Sequence, residues 1–294
     1  MTNNYKSNPI ELDPTKDVIH DPNIYFFDHK DEPSYVIEDF ITEDERLFLY
    51  DFFLYEYQRN GENINNKVLH ITHPIRYNVI RDILEHKLKQ EFGNDIIFYS
   101  DVSNDPISVG DQYFKIIAPY QLHTDCITHI PGYKPYKDIV IPIALDIPKD
   151  TYYFTCNQRY KSRAAQFNYG FNHKYFPNYS NIYRENPYEE YGVENVEYGK
   201  MDIDFIRKYN SVTTPDSVFS GISIEKIFKW TPRNAIVQDS CVIHSSTDFR
   251  RNGINWKIGL TFHLLKPDPN YGKEIVGDYY TKFSKYTQPL ISLD

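Results

Sequence analysis

The sequence predicts a mainly β domain with helices on one flank and a long insertion. Strand-like alternation clusters at 95–158 and again at 231–266, and two helical patterns precede it at 42–57 and 74–92. Between the strand series lies a Tyr- and Asn-rich stretch, 159–230, interrupted by Pro177, Pro187 and Pro215. That is too long for a simple connection, so it is expected to be an insertion packed on the core, and a lid over the site. A chain of 294 residues, 40% hydrophobic and 25% charged, fits one such soluble domain with a sizeable core. The expected domain is 1–294, with an arm at 1–33 and a C-terminal extension at 267–294.

Taken in order, Pro9, Pro14, Pro22 and Pro33 keep the arm irregular. Ser34–Ile41 alternates as a strand. Thr42 to Glu45 then reads as a capping box, with acids in the first turn of a helix running to about Tyr57. A second helix is expected over Pro74–Phe92. Proline suits its first turn, Ile75, Val79, Ile83 and Leu84 share a face, and Gly93 stops it. Strands follow at Asp95–Asp101, Asp111–Pro119, Asp138–Asp146 and Asp150–Cys156. Within the insertion, Met201–Tyr209 and Ser223–Phe228 read as helices.

The last strand series divides into two apolar runs, Asn234–Ser245 and Asn255–Leu265, read as a strand pair joined by a polar link at 246–253. In the second run Trp256, Ile258, Leu260, Phe262 and Leu264 alternate with Lys257, Gly259, Thr261 and His263. Side chains on a strand alternate between faces, so one face is apolar and the other polar. A polar face on so hydrophobic a strand marks the lining of a cavity.

Several functions are disfavoured. A formal charge of −9 argues against a general nucleic-acid binder. No run approaches a membrane span, and the N-terminus lacks a signal pattern. Cys126, Cys156 and Cys241 are odd in number and form no C-x-x-C, which points to a cytoplasmic home.

His123-Thr124-Asp125 follows the Asp111–Pro119 strand. If the chain stays extended, His123 and Asp125 project from one face and can take adjacent positions on an octahedral metal. Two His and one carboxylate with the opposite positions open is the arrangement of non-haem Fe(II) oxygenases. A second H-x-D, His29 to Asp31, sits in a charged, proline-flanked stretch and reads as solvated surface. Downstream, His244 ends one apolar run and Lys257 opens the next.

This order of H-x-D, apolar strands, lone His and basic residue resembles the Fe(II)/2-oxoglutarate-dependent dioxygenases, nearest the phytanoyl-CoA-dioxygenase-like branch by LHTD and DSCVIHSSTDF. The resemblance covers short motifs within about 95–266. It implies a double-stranded β-helix (jelly roll, cupin-like), with His123, Asp125 and His244 as iron ligands and 2-oxoglutarate as co-substrate. The activity implied is hydroxylation of a small molecule by dioxygen. The family's basic residue holds the far carboxylate of 2-oxoglutarate; Lys257 has that place, with Arg250 and Arg251 as competitors. Where many members carry Ser or Thr two residues further on, this chain has Gly259, and Thr261 is the substitute. Tyr113, which shares alternation parity with His123 as does Lys115, and Asn157, after the Asp150–Cys156 strand, are expected to line the cofactor pocket. His263 reads as a wall histidine satisfied by a hydrogen bond. The rival readings are a non-catalytic jelly-roll binding protein and a cupin-type metal enzyme that does not use 2-oxoglutarate.

Overall fold

The computed structural model describes residues 32–60, 74–102, 112–116, 123, 125, 132–159, 224–240 and 242–269. Nine strands form two sheets, with helices over the outer face of the larger one. The expected helices at 201–209, most of the insertion and the arm before residue 32 lie outside the described residues.

Strand β1 (Tyr35–Ile37) leads into α1 (Glu43–Asn60). The expected capping box closes its first turn: the Thr42 amide donates to Glu45 at 2.7 Å, and the Glu45 amide to the Thr42 hydroxyl at 3.2 Å. Helix α2 spans Pro74–Phe92, and Gly93, at φ 100°, ends it in a conformation that suits glycine. The buried stripe of α2 is Ile80, Leu84, Leu88 and Phe92, with Ile83 at its margin. The face expected around Val79 and Ile83 is therefore turned by one residue.

After α2 come β2 (Ile97–Phe98), a helical turn α3 (Tyr99–Val102) and β3 (Gln112–Ile116). The seven-residue strand expected at Asp95–Asp101 shrinks to two residues for a geometric reason. β2 and β3 pair with β9 (Lys257–Pro267), on positions 264–265 and 257–261 respectively. Strand β4 (Tyr133–Leu145) takes the whole of β9's length, and Pro135 and Pro142 sit at its two register shifts, where a missing amide does least harm.

Strand β5 (Tyr152–Arg159) begins the second sheet and pairs with β6 (Ile224–Lys229) and β8 (Val242–Ser246). Residues 223–228, expected to be helical, are thus mostly strand. The expected pair Asn234–Ser245 with Asn255–Leu265 is also corrected. The first run breaks at Ser240 into β7 (Ala235–Asp239), between β1 and β4 in the larger sheet, and β8 in the smaller one. Neither pairs with β9.

The larger sheet runs β1-β7-β4-β9-β2, with β3 also on β9; the smaller runs β6-β5-β8. Ile139, Ile141 and Ile143 of β4, Val237 of β7 and Ile258, Leu260, Phe262 and Leu264 of β9 meet Leu49 and Phe53 of α1 and the α2 stripe. Facing the other way, Val140, Ile236, Tyr153, Phe228 and Trp230 fill the space between the sheets. The alternation of β9 survives intact, and its polar face is as dry as its apolar one: Lys257, Thr261 and His263 are all buried.

Candidate metal centre

His123 reaches β8 through its backbone. Its amide donates to the His244 carbonyl at 3.0 Å, and the His244 amide returns the bond at 2.8 Å. Directly opposed residues of an antiparallel pair share a face, so the two imidazoles meet. Their Nε2 atoms lie 3.1 Å apart, Asp125 Oδ1 is 3.5 Å from His123 Nε2, and Asp125 Oδ2 is 3.2 Å from His244 Nε2. Ligands at right angles on metal bonds of about 2.1 Å stand roughly 3 Å apart. One potential donor atom from each of the three side chains lies within 4.8 Å of the others, so the trio could supply one triangular face of an octahedral ion.

The electrostatics demand a cation or a proton at that point. Two Nε2 atoms so close cannot both direct lone pairs at each other unless something positive lies between them. Burial alone would raise the Asp125 carboxyl, but the two imidazoles outweigh it and hold it well below the usual range. Burial opposes charge on His244 too, and Asp125 overrides this and raises it.

Neighbours orient the His244 ring. Its Nδ1 lies 2.9 Å from the Val242 carbonyl and 2.9 Å from the Gln238 amide nitrogen. The carbonyl only accepts and the Gln238 amide nitrogen only donates, so the two compete for Nδ1. A proton there serves the carbonyl and leaves Nε2 as a lone pair, the tautomer a metal needs, whereas a bare Nδ1 serves Gln238. The Gln238 amide oxygen takes a hydrogen bond from the Tyr153 hydroxyl at 2.7 Å, and the Tyr153 ring stacks on His244 at 5.4 Å.

Lys257 stands at the other end of the inner face. Its ammonium donates to the Ser246 hydroxyl at 2.6 Å, lies 3.8 Å over the Trp230 ring and 5.6 Å from the Phe249 ring, and is fully buried. No carboxylate among the described residues pairs with it. Burial accordingly pushes it down to about 7. Ser246 is two residues beyond His244 on β8, so both point into the same space, roughly 7 Å apart along the strand. A five-carbon diacid covers that distance.

Gly259 is needed where it stands. A Cβ there would come within 2.6 Å of Phe114 Cζ and 2.9 Å of the Trp230 ring. The place where the resemblance expects a hydroxyl side chain is filled by these two rings. Thr261 shares the inner face, opposite Gln112 and Val140. Arg250 and Arg251 lie exposed on a 3-10 turn, Phe249–Asn252, which leaves Lys257 as the buried one of the three candidate cations.

Tyr113 does not join the site. It is buried on the helix side of β3, where its hydroxyl donates to the Leu49 carbonyl and its ring stacks on Phe53 at 4.9 Å. Lys115 lies over Tyr57 and Trp256 on the same outer side. The parity shared with His123 in sequence is lost between β3 and residue 123. Asn157 belongs to β5, but its side chain lies outside the described residues.

Sequence reasoning passed over Gln238, Tyr153, Ser246 and Asp138. Their common signal is a polar group at an inward position of an otherwise apolar strand. Asp138, read only as the start of a strand, accepts from the Ser240 hydroxyl at 2.9 Å and lies 2.7 Å from His263 Nδ1.

No protein-family profile and no curated protein sequence matches the chain. Among solved structures, it is similar to the non-heme alpha ketoglutarate dependent epimerase SnoN from nogalamycin biosynthesis, with a TM-score of 0.38 and 6% identity over 80% of this chain and 79% of that one. So distant a likeness leaves the chemistry to be read from the side chains. No described helix is long and apolar enough to cross a membrane.

Proposed function

We propose that the chain is an Fe(II)- and 2-oxoglutarate-dependent dioxygenase that hydroxylates a small molecule with release of succinate and carbon dioxide. One juxtaposition carries this reading. A two-His, one-carboxylate cluster includes His244, two strand residues before Ser246, whose hydroxyl takes a hydrogen bond from a buried lysine that has no carboxylate partner among the described residues. The strand order supports a double-stranded β-helix. From β3 onward the chain alternates between sheets except for the consecutive pair β5 and β6, giving β3-β9-β4-β7 in one and residue 123, β8, β5 and β6 in the other. On motif, the phytanoyl-CoA-dioxygenase-like branch stands nearest.

Bound here, iron and 2-oxoglutarate supply the oxidative decarboxylation and the oxidising power for attack on a substrate C–H bond. The protein's share is geometry and exclusion of water. His123, Asp125 and His244 would hold the metal, supplying three of its ligands. Val242 and Gln238 set the His244 ring. Lys257 and Ser246 hold the far carboxylate, with Trp230, Phe249 and Phe114 keeping that end dry, where an ion pair is stronger than in water. Lysine does this as a point charge and not as a fork, and Ser246 adds a hydroxyl beside it.

The test is succinate release from 2-oxoglutarate by protein given Fe(II) and dioxygen, across a panel of small molecules. Turnover that His123→Ala abolishes supports the reading. No succinate under any condition contradicts it, as a cupin-type enzyme that does not use 2-oxoglutarate would show, and so does succinate release indifferent to Lys257→Ala.

A further inference from the structure

Asp125 belongs to two groups of ligating atoms. Besides the first, one atom from each of Asp125, Asp138 and His263 lies within 4.8 Å of the others. Asp138 comes from β4 and His263 from β9, and the two are register partners whose side chains point between the sheets. Oδ1 of Asp138 is occupied by Ser240 and His263. Its other oxygen, Oδ2, is buried with no hydrogen-bond partner among the described residues, on a residue that is 0% exposed. A bare buried carboxylate oxygen is costly, and the neighbouring Asp125 adds like charge. The carboxyl of Asp138 is raised accordingly, by its burial first and by Asp125 in addition, against the pull of His263.

We propose that Asp125, Asp138 and His263 form a second divalent-cation site, so that the space between the sheets takes two cations sharing Asp125. Two carboxylates and an imidazole suit Fe(II), Mn(II), Co(II) or Zn(II) better than Mg(II), which favours oxygen alone. Asp125 turns Oδ1 to His123 and Oδ2 to His244, so a second cation would share one of these oxygens with the first, and two-metal sites keep their ions about 3.5–4 Å apart. His263 lies toward the far end of β9 from Lys257, so the second cation sits away from the diacid's remote end. A proton on Oδ2, or a hydrogen bond from a substrate hydroxyl or amine, would satisfy the same oxygen but leave one cation per chain. The inference rests on the proposed metal centre through Asp125.

The experiment is anaerobic titration of Mn(II) into the metal-free full-length protein, followed by calorimetry and electron paramagnetic resonance. Two Mn(II) per chain with a spin-coupled, broadened spectrum at saturation is the expected result. Asp138→Asn or His263→Gln then leaves one ion with a sharp six-line signal, the second weakened by more than the roughly 10–100-fold that loss of an outer-shell partner costs. A single Mn(II) per wild-type chain overturns the second site and leaves the first standing; none overturns both. Two ions that persist uncoupled in both variants place the second elsewhere and also overturn it. The wild-type stoichiometry decides even where a variant fails to fold.

Discussion

The two ends of β9's inner face are opposite in kind. Around His263 the interior gathers acids and imidazoles from distant parts of the chain, Asp125, Asp138, His123 and His244, more acceptors than the described donors satisfy. Around Lys257 it gathers a hydroxyl and aromatic rings, and a cation with no anion among the described residues. One end asks for positive charge and the other for negative. A molecule that chelates a metal at one terminus and offers a carboxylate at the other answers both, which is why the pair of ends says more than either alone.

The comparison breaks most sharply at the metal end. His244→Ala removes a proposed ligand and should lower metal affinity and succinate release by more than the roughly 100-fold ceiling of an outer-shell change. Anaerobic metal titration checks it, and the mutation should leave Lys257 as buried as before.

Lys257→Met acts at the other end alone. Losing one partner of a buried charged hydrogen bond costs about 2–5 kcal/mol, so the Kd for 2-oxoglutarate should rise by roughly 30-fold or more while metal affinity holds. Without ligand the same variant should melt higher than wild type, because it removes a buried cation that no carboxylate among the described residues neutralises. A lower melting temperature would show that Lys257 has an anionic partner already.

Gln238→Leu sharpens the comparison within the metal end. It leaves every proposed ligand in place but loosens the His244 ring, and metal affinity should fall by about 10–100-fold with 2-oxoglutarate affinity of the loaded protein little changed.

The smallest effect is one of pH. In the free protein Lys257 loses its proton as pH rises through about 7, whereas the unfolded chain keeps it to the ordinary 10.5. Over that window the unfolded state binds more protons, so this group makes folding stability rise with pH. Anion binding runs the other way, needing the ammonium form, and 2-oxoglutarate affinity should fall by up to about tenfold per unit above that point. Lys257→Arg, which does not titrate there, should flatten both slopes.

Much of this was legible in the sequence, for particular reasons. A strand buried on both faces with one face polar is rare enough that β9 announced a lined interior, and α2 carried its proline start and glycine stop on the surface of the sequence. Other features left weaker marks. The run Asn234–Ser245 reads as one mainly apolar segment, and its change of sheet is signalled only by the polar step Gln238–Ser240. Strand β6 reads equally well as helix, since Ile224, Ile227 and Phe228 also fit a three-to-four repeat. Tyr113 went astray because parity counts only within one unbroken strand. Asp138 looked like a strand boundary, and only the register with His263 shows that it points inward.

The central claim is that metal and Lys257 hold two ends of one diacid. Calorimetric titration of 2-oxoglutarate into anaerobic protein at pH 6.5, with and without Fe(II), tests it directly. The account predicts tight one-to-one binding that needs the metal and that Lys257→Met weakens by about 30-fold or more. Binding of equal strength in metal-free protein, or in the Lys257→Met variant, would contradict it.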